Sequence, residues 1–67
     1  MADEEFKDYG EATHLGVKCY LVDEFDITWQ EAGRLIAKYR QTLLDGIAIR
    51  DKAVDVGDRI MEKEPAT

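Results

Sequence analysis

His14 and Cys19, in the N-terminal third of the 67-residue chain, carry the functional groups for nucleophilic or metal chemistry. An imidazole beside a thiol can stabilise the thiolate and so activate it as a nucleophile. The two residues are five positions apart, the sequence offers no third group to orient the imidazole, and one histidine and one cysteine cannot supply four zinc ligands. We therefore expect Cys19 to be a small core residue and His14 a surface or loop residue, with no catalytic or metal site.

Four carboxylates near the C-terminus recur at helical spacing and predict one acidic stripe: Asp51, Asp55, Asp58 and Glu62. Carboxylate metal sites in helical bundles also use histidine, and calcium loops need alternating oxygen ligands around a glycine turn. Neither pattern is present, so we interpret the stripe as a solvated face. Within it, only Asp55 and Arg59 have the favourable i, i+4 spacing for an ion pair.

Three basic residues, Arg34, Lys38 and Arg40, could hold an anionic substrate between two subunits. Arg34 and Lys38 fall on the polar side of an amphipathic pattern, where solvation is the ordinary explanation. The sequence also lacks phosphate-binding glycine motifs, the exposed-serine elbow and the zinc hydrolase motif. We expect no enzymatic activity and no cofactor.

Residues 28–63 contain no proline, and their apolar side chains keep one angular phase at about 100° per residue. Thr28 to Glu31 has the sequence of a capping box, and Pro65 follows the run. Because a turn would reset the phase, the pattern predicts one long amphipathic helix. The alternative is a two-helix hairpin broken near Gly46, since glycine can adopt the left-handed conformation that ends a helix.

Residues 15–22 form the most strand-like window, with Val17, Cys19 and Leu21 alternating against other side chains. A helical alternative exists, because Val17 shares a possible stripe with Tyr20 and Leu21, although Gly10 and Gly16 weaken it. A strand here would need a partner for its backbone groups, either residues 6–9 or the same strand of a second subunit.

The sequence thus predicts a mainly α fold with a short N-terminal β element. A strand or irregular arm is followed by one long amphipathic helix, or by a hairpin broken near Gly46, and the helical face mediates association. We divide this single domain into an acidic arm (1–26, with the possible strand 15–22), a helical region (27–63) and a disordered tail (64–67), and expect residues 1–5 to be frayed.

The net charge of −6 lies entirely in the first 26 residues, which hold eight acidic and two basic residues, whereas residues 27–67 hold seven of each. A surface for nucleic-acid phosphates needs the opposite sign, so nucleic acid is an unlikely partner. The acidic arm could instead meet a basic protein surface, or simply keep an apolar helix soluble.

A chain of this size buries only about 60% of its unfolded surface, and it has neither a disulfide nor a metal quartet to stabilise it. We therefore expect a homo-oligomer. Arg50 falls within the apolar arc and could form an ion pair that sets the register between copies. The predicted partner or oligomer interface comprises Trp29, Ile36, Tyr39, Leu43, Ile47, Ile49, Arg50, Val54, Val56, Ile60 and Met61.

Together these patterns predict a non-enzymatic, small acidic protein–protein interaction module, an adaptor or inhibitor that acts as a homo-oligomer such as a homodimer and binds another protein. Without a signal peptide or a membrane-spanning run, we expect a cytoplasmic location and no membrane. The alternative is a ribbon-helix-helix-like DNA-binding dimer, in which the strand at 15–22 pairs across a two-fold axis and enters the major groove.

Overall fold

A computed structural model describes residues 9–64 and is mainly helical, as predicted. Its described part contains four α-helices: α1 (His14–Phe25), α2 (Trp29–Lys38), α3 (Arg40–Ala48) and α4 (Ala53–Lys63). The predicted fraying of residues 1–5 and the disorder of 65–67 lie outside the described residues. Glu64 is described and accepts hydrogen bonds from Lys38 and Tyr39.

The predicted strand at 15–22 is wrong, because this segment lies inside α1. The Thr13 hydroxyl caps the helix by accepting a hydrogen bond from the Gly16 amide at 2.9 Å. Val17, Tyr20 and Leu21 are buried at the i, i+3, i+4 spacing of a helical face. A helix satisfies its backbone groups internally, so no strand partner is required. The ribbon that the DNA-binding alternative needs is therefore missing from this segment.

The single long helix predicted over 28–63 is also wrong, since the region forms α2, α3 and α4. Tyr39 leaves the helical conformation (φ −110°, ψ 41°) and separates α2 from α3. A wider turn follows α3, where Arg50 adopts a left-handed conformation with φ 57°. The common apolar phase arises because all three helices face one core, so it does not require a continuous helix.

Gly46 is not a break, which corrects the alternative hairpin as well. It lies within α3 and is buried, and a Cβ atom built on it would overlap the side chain of Val56 on α4. Gly57 on α4 likewise leaves room for the ring of Tyr20 on α1. Glycine at these two positions allows α4 to approach its neighbours closely.

The start of α2 follows the predicted capping box in part. The Thr28 hydroxyl accepts a hydrogen bond from the Glu31 amide at 3.0 Å. The Glu31 carboxylate does not reach back to the cap and instead accepts from Arg34 Nη2 at 2.8 Å.

The core lies where the helices meet: α1 contacts α2 and α4, and α3 contacts α4 and α2. No polar or charged residue of the described part is buried. The buried apolar residues come from the segment before α1 and from all four helices: Ala12, Val17, Tyr20, Leu21, Ala32, Leu35, Ile36, Leu43, Ala53, Val56 and Ile60.

The segment before α1 is tied to the turn before α4 by backbone hydrogen bonds. The Ala12 amide donates to the Asp51 carbonyl at 2.8 Å, and the Ala53 amide donates to the Gly10 carbonyl at 2.9 Å. These bonds flank an isolated antiparallel bridge between Glu11 and Lys52. The bridge is the one β-type pairing in residues 9–64, and it sets the position of α1 relative to α4.

The two helical glycines Gly46 and Gly33 are expected to respond oppositely to alanine. Gly46→Ala should lower the free energy of unfolding by about 1–3 kcal/mol, because the new methyl overlaps Val56 in a packed core. Gly33→Ala should raise it by about 0.5–1 kcal/mol through helix propensity, since the methyl meets the end of the flexible Lys18 side chain. Urea denaturation of both variants measures this; stabilisation by both would contradict the close α3–α4 contact.

Candidate binding groove

An open apolar groove of about 350 Å³ lies between the N-terminal end of α1, the C-terminal half of α2 and α3. Its volume is at the lower end of the range for binding pockets. The lining is apolar apart from one imidazole and one guanidinium, and comprises His14, Ile36, Ala37, Arg40, Leu43, Leu44 and Ile47.

Helix α3 supplies more than half of the lining. Arg40, Leu43, Leu44 and Ile47 stand at i, i+3, i+4 and i+7, which places them on one helical face. Leu43 is buried and belongs to both the core and the groove wall, whereas Leu44 and Ile47 are 43% and 40% exposed. The groove is thus a continuation of the core that the chain itself leaves uncovered.

Two further aliphatic side chains are exposed within two residues of the groove lining. Leu15 follows His14 on α1 and is 61% exposed, and Ile49 lies just after α3 and is 69% exposed. Of the five large exposed apolar residues in the described part, only Trp29 is outside this neighbourhood in sequence. Only Leu44 and Ile47 of these exposed residues line the groove, and we call these two residues the apolar rim. Ile49 points about 160° away from Ile47 around the helix axis.

The two polar side chains of the groove have no partner among the described residues. Neither His14 nor Arg40 makes a hydrogen bond or an ion pair with residues 9–64. By contrast, Arg34 pairs with Glu31 and Arg59 pairs with Asp51. Arg40 therefore presents an uncompensated positive charge at the edge of an apolar surface.

The structure distributes the eleven predicted interface residues between core and surface. Four of them, Ile36, Leu43, Val56 and Ile60, are buried by packing within the chain, so their burial does not require a partner. Ile36 and Leu43 nevertheless form part of the groove wall, together with Ile47. Half-buried side chains packed against the core account for three more: Tyr39, Val54 and Met61.

Of the eleven predicted interface residues, three are exposed and lie outside the groove lining: Trp29, Ile49 and Arg50. Lys18 Nζ lies 4.5 Å from the centroid of the Trp29 ring, a cation–π contact within the chain. Arg50 follows α3 and pairs with no carboxylate of residues 9–64.

Sequence reasoning missed His14, Ala37, Arg40 and Leu44 as groove residues. Arg40 and Leu44 could have been found from their i, i+4 spacing with Ile47, but only once α3 was recognised as a separate helix. The approach of α1 to this face could not have been inferred, because His14 was placed before a strand.

His14 and Cys19 both lie on α1, five positions apart, which points them in directions about 140° apart around the helix. Cys19 is half-buried and His14 is exposed. In the described part of the chain, His, Cys, Asp and Glu side chains form no group of three or more that could hold a metal ion. The geometry therefore offers the pair no shared site.

Two carboxylates of the acidic stripe, Asp51 and Asp58, have partners within the chain, whereas the sequence predicted a solvated face. Arg59 pairs with Asp51 at 3.0 Å, not with Asp55 as the spacing favoured, because Asp51 lies in the turn before α4. This guanidinium, followed by the Lys52 amide, holds the pKa of the Asp51 carboxyl below its usual value. The Tyr20 hydroxyl donates to Asp58 Oδ1 at 2.5 Å and thereby links α1 to α4.

Tyrosine–carboxylate hydrogen bonds line the side of the molecule where α1 packs against α4. The Tyr9 hydroxyl donates to Asp23 Oδ2 at 2.6 Å, which raises the pKa of the Tyr9 phenol to about 12. Burial and then the bond to Asp58 raise the pKa of Tyr20. Both rings make edge contacts with a neighbour: Tyr20 with Tyr9 and with Phe25.

A third tyrosine fastens the elbow between α2 and α3 to the end of α4. The Tyr39 hydroxyl lies 2.8 Å from Glu64 Oε1 and 3.1 Å from the Lys63 carbonyl. Lys38 Nζ reaches the same Glu64 carboxylate at 3.2 Å. The bonds from Tyr39 and Lys38 lower the pKa of Glu64.

No protein-family model matches the chain, and searches of curated proteins and of solved structures likewise find no match. Among residues 9–64, none of the helices combines the length and the apolar character needed to cross a membrane.

The Asp51–Arg59 ion pair should make the stability of the fold decrease at low pH. Because the pKa of Asp51 is lowered by folding, its contribution is complete above the unfolded value of about 3.9 and is lost as pH falls through the folded value. Thermal unfolding of Asp51→Asn should therefore show a smaller loss of Tm than the wild type between about pH 5 and pH 2. Glu62→Gln, which removes an exposed carboxylate without a described partner, is the control and should keep the wild-type profile.

Proposed function

We propose that this chain is a non-enzymatic protein–protein interaction module, an adaptor or inhibitor, that binds a protein surface through the groove and its apolar rim. The observation that carries the proposal is an apolar groove whose wall includes the exposed side chains of Leu44 and Ile47, in a chain whose core is already closed. Exposed apolar patches with a polar border commonly mark sites of protein association.

The apolar rim is large enough to contribute to binding. The exposed fractions of Leu44 and Ile47 add up to roughly one whole aliphatic side chain, whose burial favours association by about 1.5–3 kcal/mol. Burying the groove wall adds to this, and the unpaired Arg40 offers a charged contact that selects a carboxylate or a carbonyl on the partner. These terms are consistent with a specific contact of moderate strength.

The remaining charge suits an interaction module better than a nucleic-acid binder. Asp23, Glu24 and Asp26 are exposed at the end of α1, and the chain carries a net charge of −6. Such a surface repels phosphate and attracts basic protein surfaces. The ribbon-helix-helix alternative is not proposed, because residues 15–22 form a helix. The cytoplasmic location expected from the sequence is part of the same proposal.

Substitution of Ile47 by aspartate tests the groove directly. Affinity capture from the native host with the wild type, Ile47→Asp and Gln30→Asp should retain a set of proteins on the wild type that Ile47→Asp loses, since a carboxylate cannot be buried unpaired in an apolar contact. The strongest captured protein is then purified and titrated against all three forms. We expect roughly tenfold or greater weakening by Ile47→Asp, equivalent to about 1.4 kcal/mol.

Gln30→Asp is the matched control, because it adds the same charge at an exposed position near the start of α2, outside the groove lining. It should bind like the wild type. Circular dichroism must show that both variants keep the helical content of the parent. Equal binding by Ile47→Asp and the wild type would refute the groove as the contact surface.

A further inference from the structure

We propose that the groove binds an amphipathic helix that carries a carboxylate one turn away from its apolar stripe. This inference rests on the proposed function, since it names the chemistry of the partner at the same surface. It follows from the charge of the groove lining, from the spacing of three side chains on α3, and from the lack of partners for an extended backbone.

The groove lining is complementary in charge to a carboxylate. Arg40 supplies a positive charge, and no acidic residue of the described chain lines the groove. The Arg40 guanidinium forms no ion pair within residues 9–64. It lies at the first residue of α3, where no acidic residue occupies the first turn, so the positive end of the helix dipole adds to its charge. This end of the groove therefore attracts a single carboxylate, although the whole chain has a net charge of −6.

The spacing of the lining on α3 matches two turns of a second helix. Arg40, Leu44 and Ile47 lie on one face at i, i+4 and i+7, so they extend over roughly 10 Å along the helix axis. A helix laid along this face places apolar side chains that are one turn apart on Leu44 and Ile47. A carboxylate one turn beyond that stripe then lies beside Arg40.

The polar groups of the groove favour a helix over an extended peptide. All lining residues belong to helices, whose backbone groups are largely bonded within the helix, and the only polar side chains among them are His14 and Arg40. An extended segment of this length has about three residues, and their backbone groups need partners when buried. A helix satisfies these groups internally and presents side chains alone, as in other helix-in-groove contacts.

The contact is small, so an isolated helical peptide should bind weakly. The exposed parts of the apolar rim amount to roughly one aliphatic side chain, and the ion pair with Arg40 is partly solvated. We therefore expect dissociation constants of about 0.1–1 mM for a single helix. A whole protein that presents such a helix adds contacts outside the groove.

Three peptides that differ at one position test the predicted chemistry. Each has about 18 residues, because shorter helices are marginal in water, and carries leucines at one-turn spacing in an alanine–glutamine background. The position one turn beyond the stripe is glutamate, glutamine or lysine. One set places it before the stripe and a second set after it, since the helix can lie in either direction along α3. Circular dichroism must show that all the peptides are helical.

NMR titration of the isotope-labelled chain measures the affinity of each peptide. In one of the two sets, the glutamate peptide should bind about two- to fivefold more tightly than the glutamine peptide, the range for a partly exposed ion pair. The lysine peptide should bind most weakly. The net charge of −6 alone would produce the opposite order, with lysine the tightest. That order, or equal binding of all three, would overturn the inference.

Two pairs of variants locate the contact. Arg40→Gln should abolish the preference for glutamate over glutamine, whereas Lys63→Gln, which removes a positive charge from an exposed position on α4, should retain it. Ile47→Asp should weaken every peptide by roughly tenfold or more, because it places a carboxylate in the apolar contact. Gln30→Asp is its control and should bind like the wild type. A preference for glutamate that persists in Arg40→Gln would contradict the assigned ion pair.

Two other occupants would each refute the amphipathic helix. If the medium-chain carboxylate decanoate shifts the groove resonances and no peptide does, the groove binds a small amphiphile. If sedimentation shows self-association that Ile47→Asp abolishes, and no peptide binds, the occupant is a second copy. The proposed function survives failure of the peptides if protein capture still depends on Ile47. Loss of both peptide binding and Ile47-dependent capture would refute the two proposals together.

Discussion

The close approach of α4 to α1 and α3 is the contact on which the rest of the molecule depends. Two glycines allow it: Gly46 lies under Val56, and Gly57 lies under the ring of Tyr20. With α4 held this closely, four short helices can enclose a core of small and medium apolar side chains. None of these helices is long enough to be stable by itself in water, so packing must supply most of their stability.

This packing also explains why the groove exists. Helix α3 turns its Leu43 and Gly46 side towards the core, and the neighbouring Leu44 and Ile47 side lies beyond the reach of α4. The Tyr39–Glu64 hydrogen bond joins the α2–α3 elbow, at the start of this helix, to the end of α4. Helix α3 therefore has two adjoining apolar sides: one belongs to the core and the other lines the groove.

The charged side chains of the core contacts differ from those of the groove. The carboxylates of Asp23 and Asp58 accept hydrogen bonds from tyrosines where α1 packs against α4, so acidic groups contribute to packing on that side. The groove side has an arginine without a described acidic partner. Carboxylates thus take part in the packing of α1 on α4, whereas the Arg40 guanidinium at the groove has no carboxylate partner among residues 9–64.

The sequence alone established that most of residues 28–63 are helical, that Thr28 begins a helix, and that the region is amphipathic. These properties depend on local hydrogen bonding and on the 3.6-residue period, and both can be read from neighbouring residues. The number of helices, the helical state of residues 15–22 and the position of the groove were decided by tertiary structure. Three helices around one core repeat the same phase as one long helix, and only contacts between residues distant in sequence, such as Gly46 with Val56, distinguish the two.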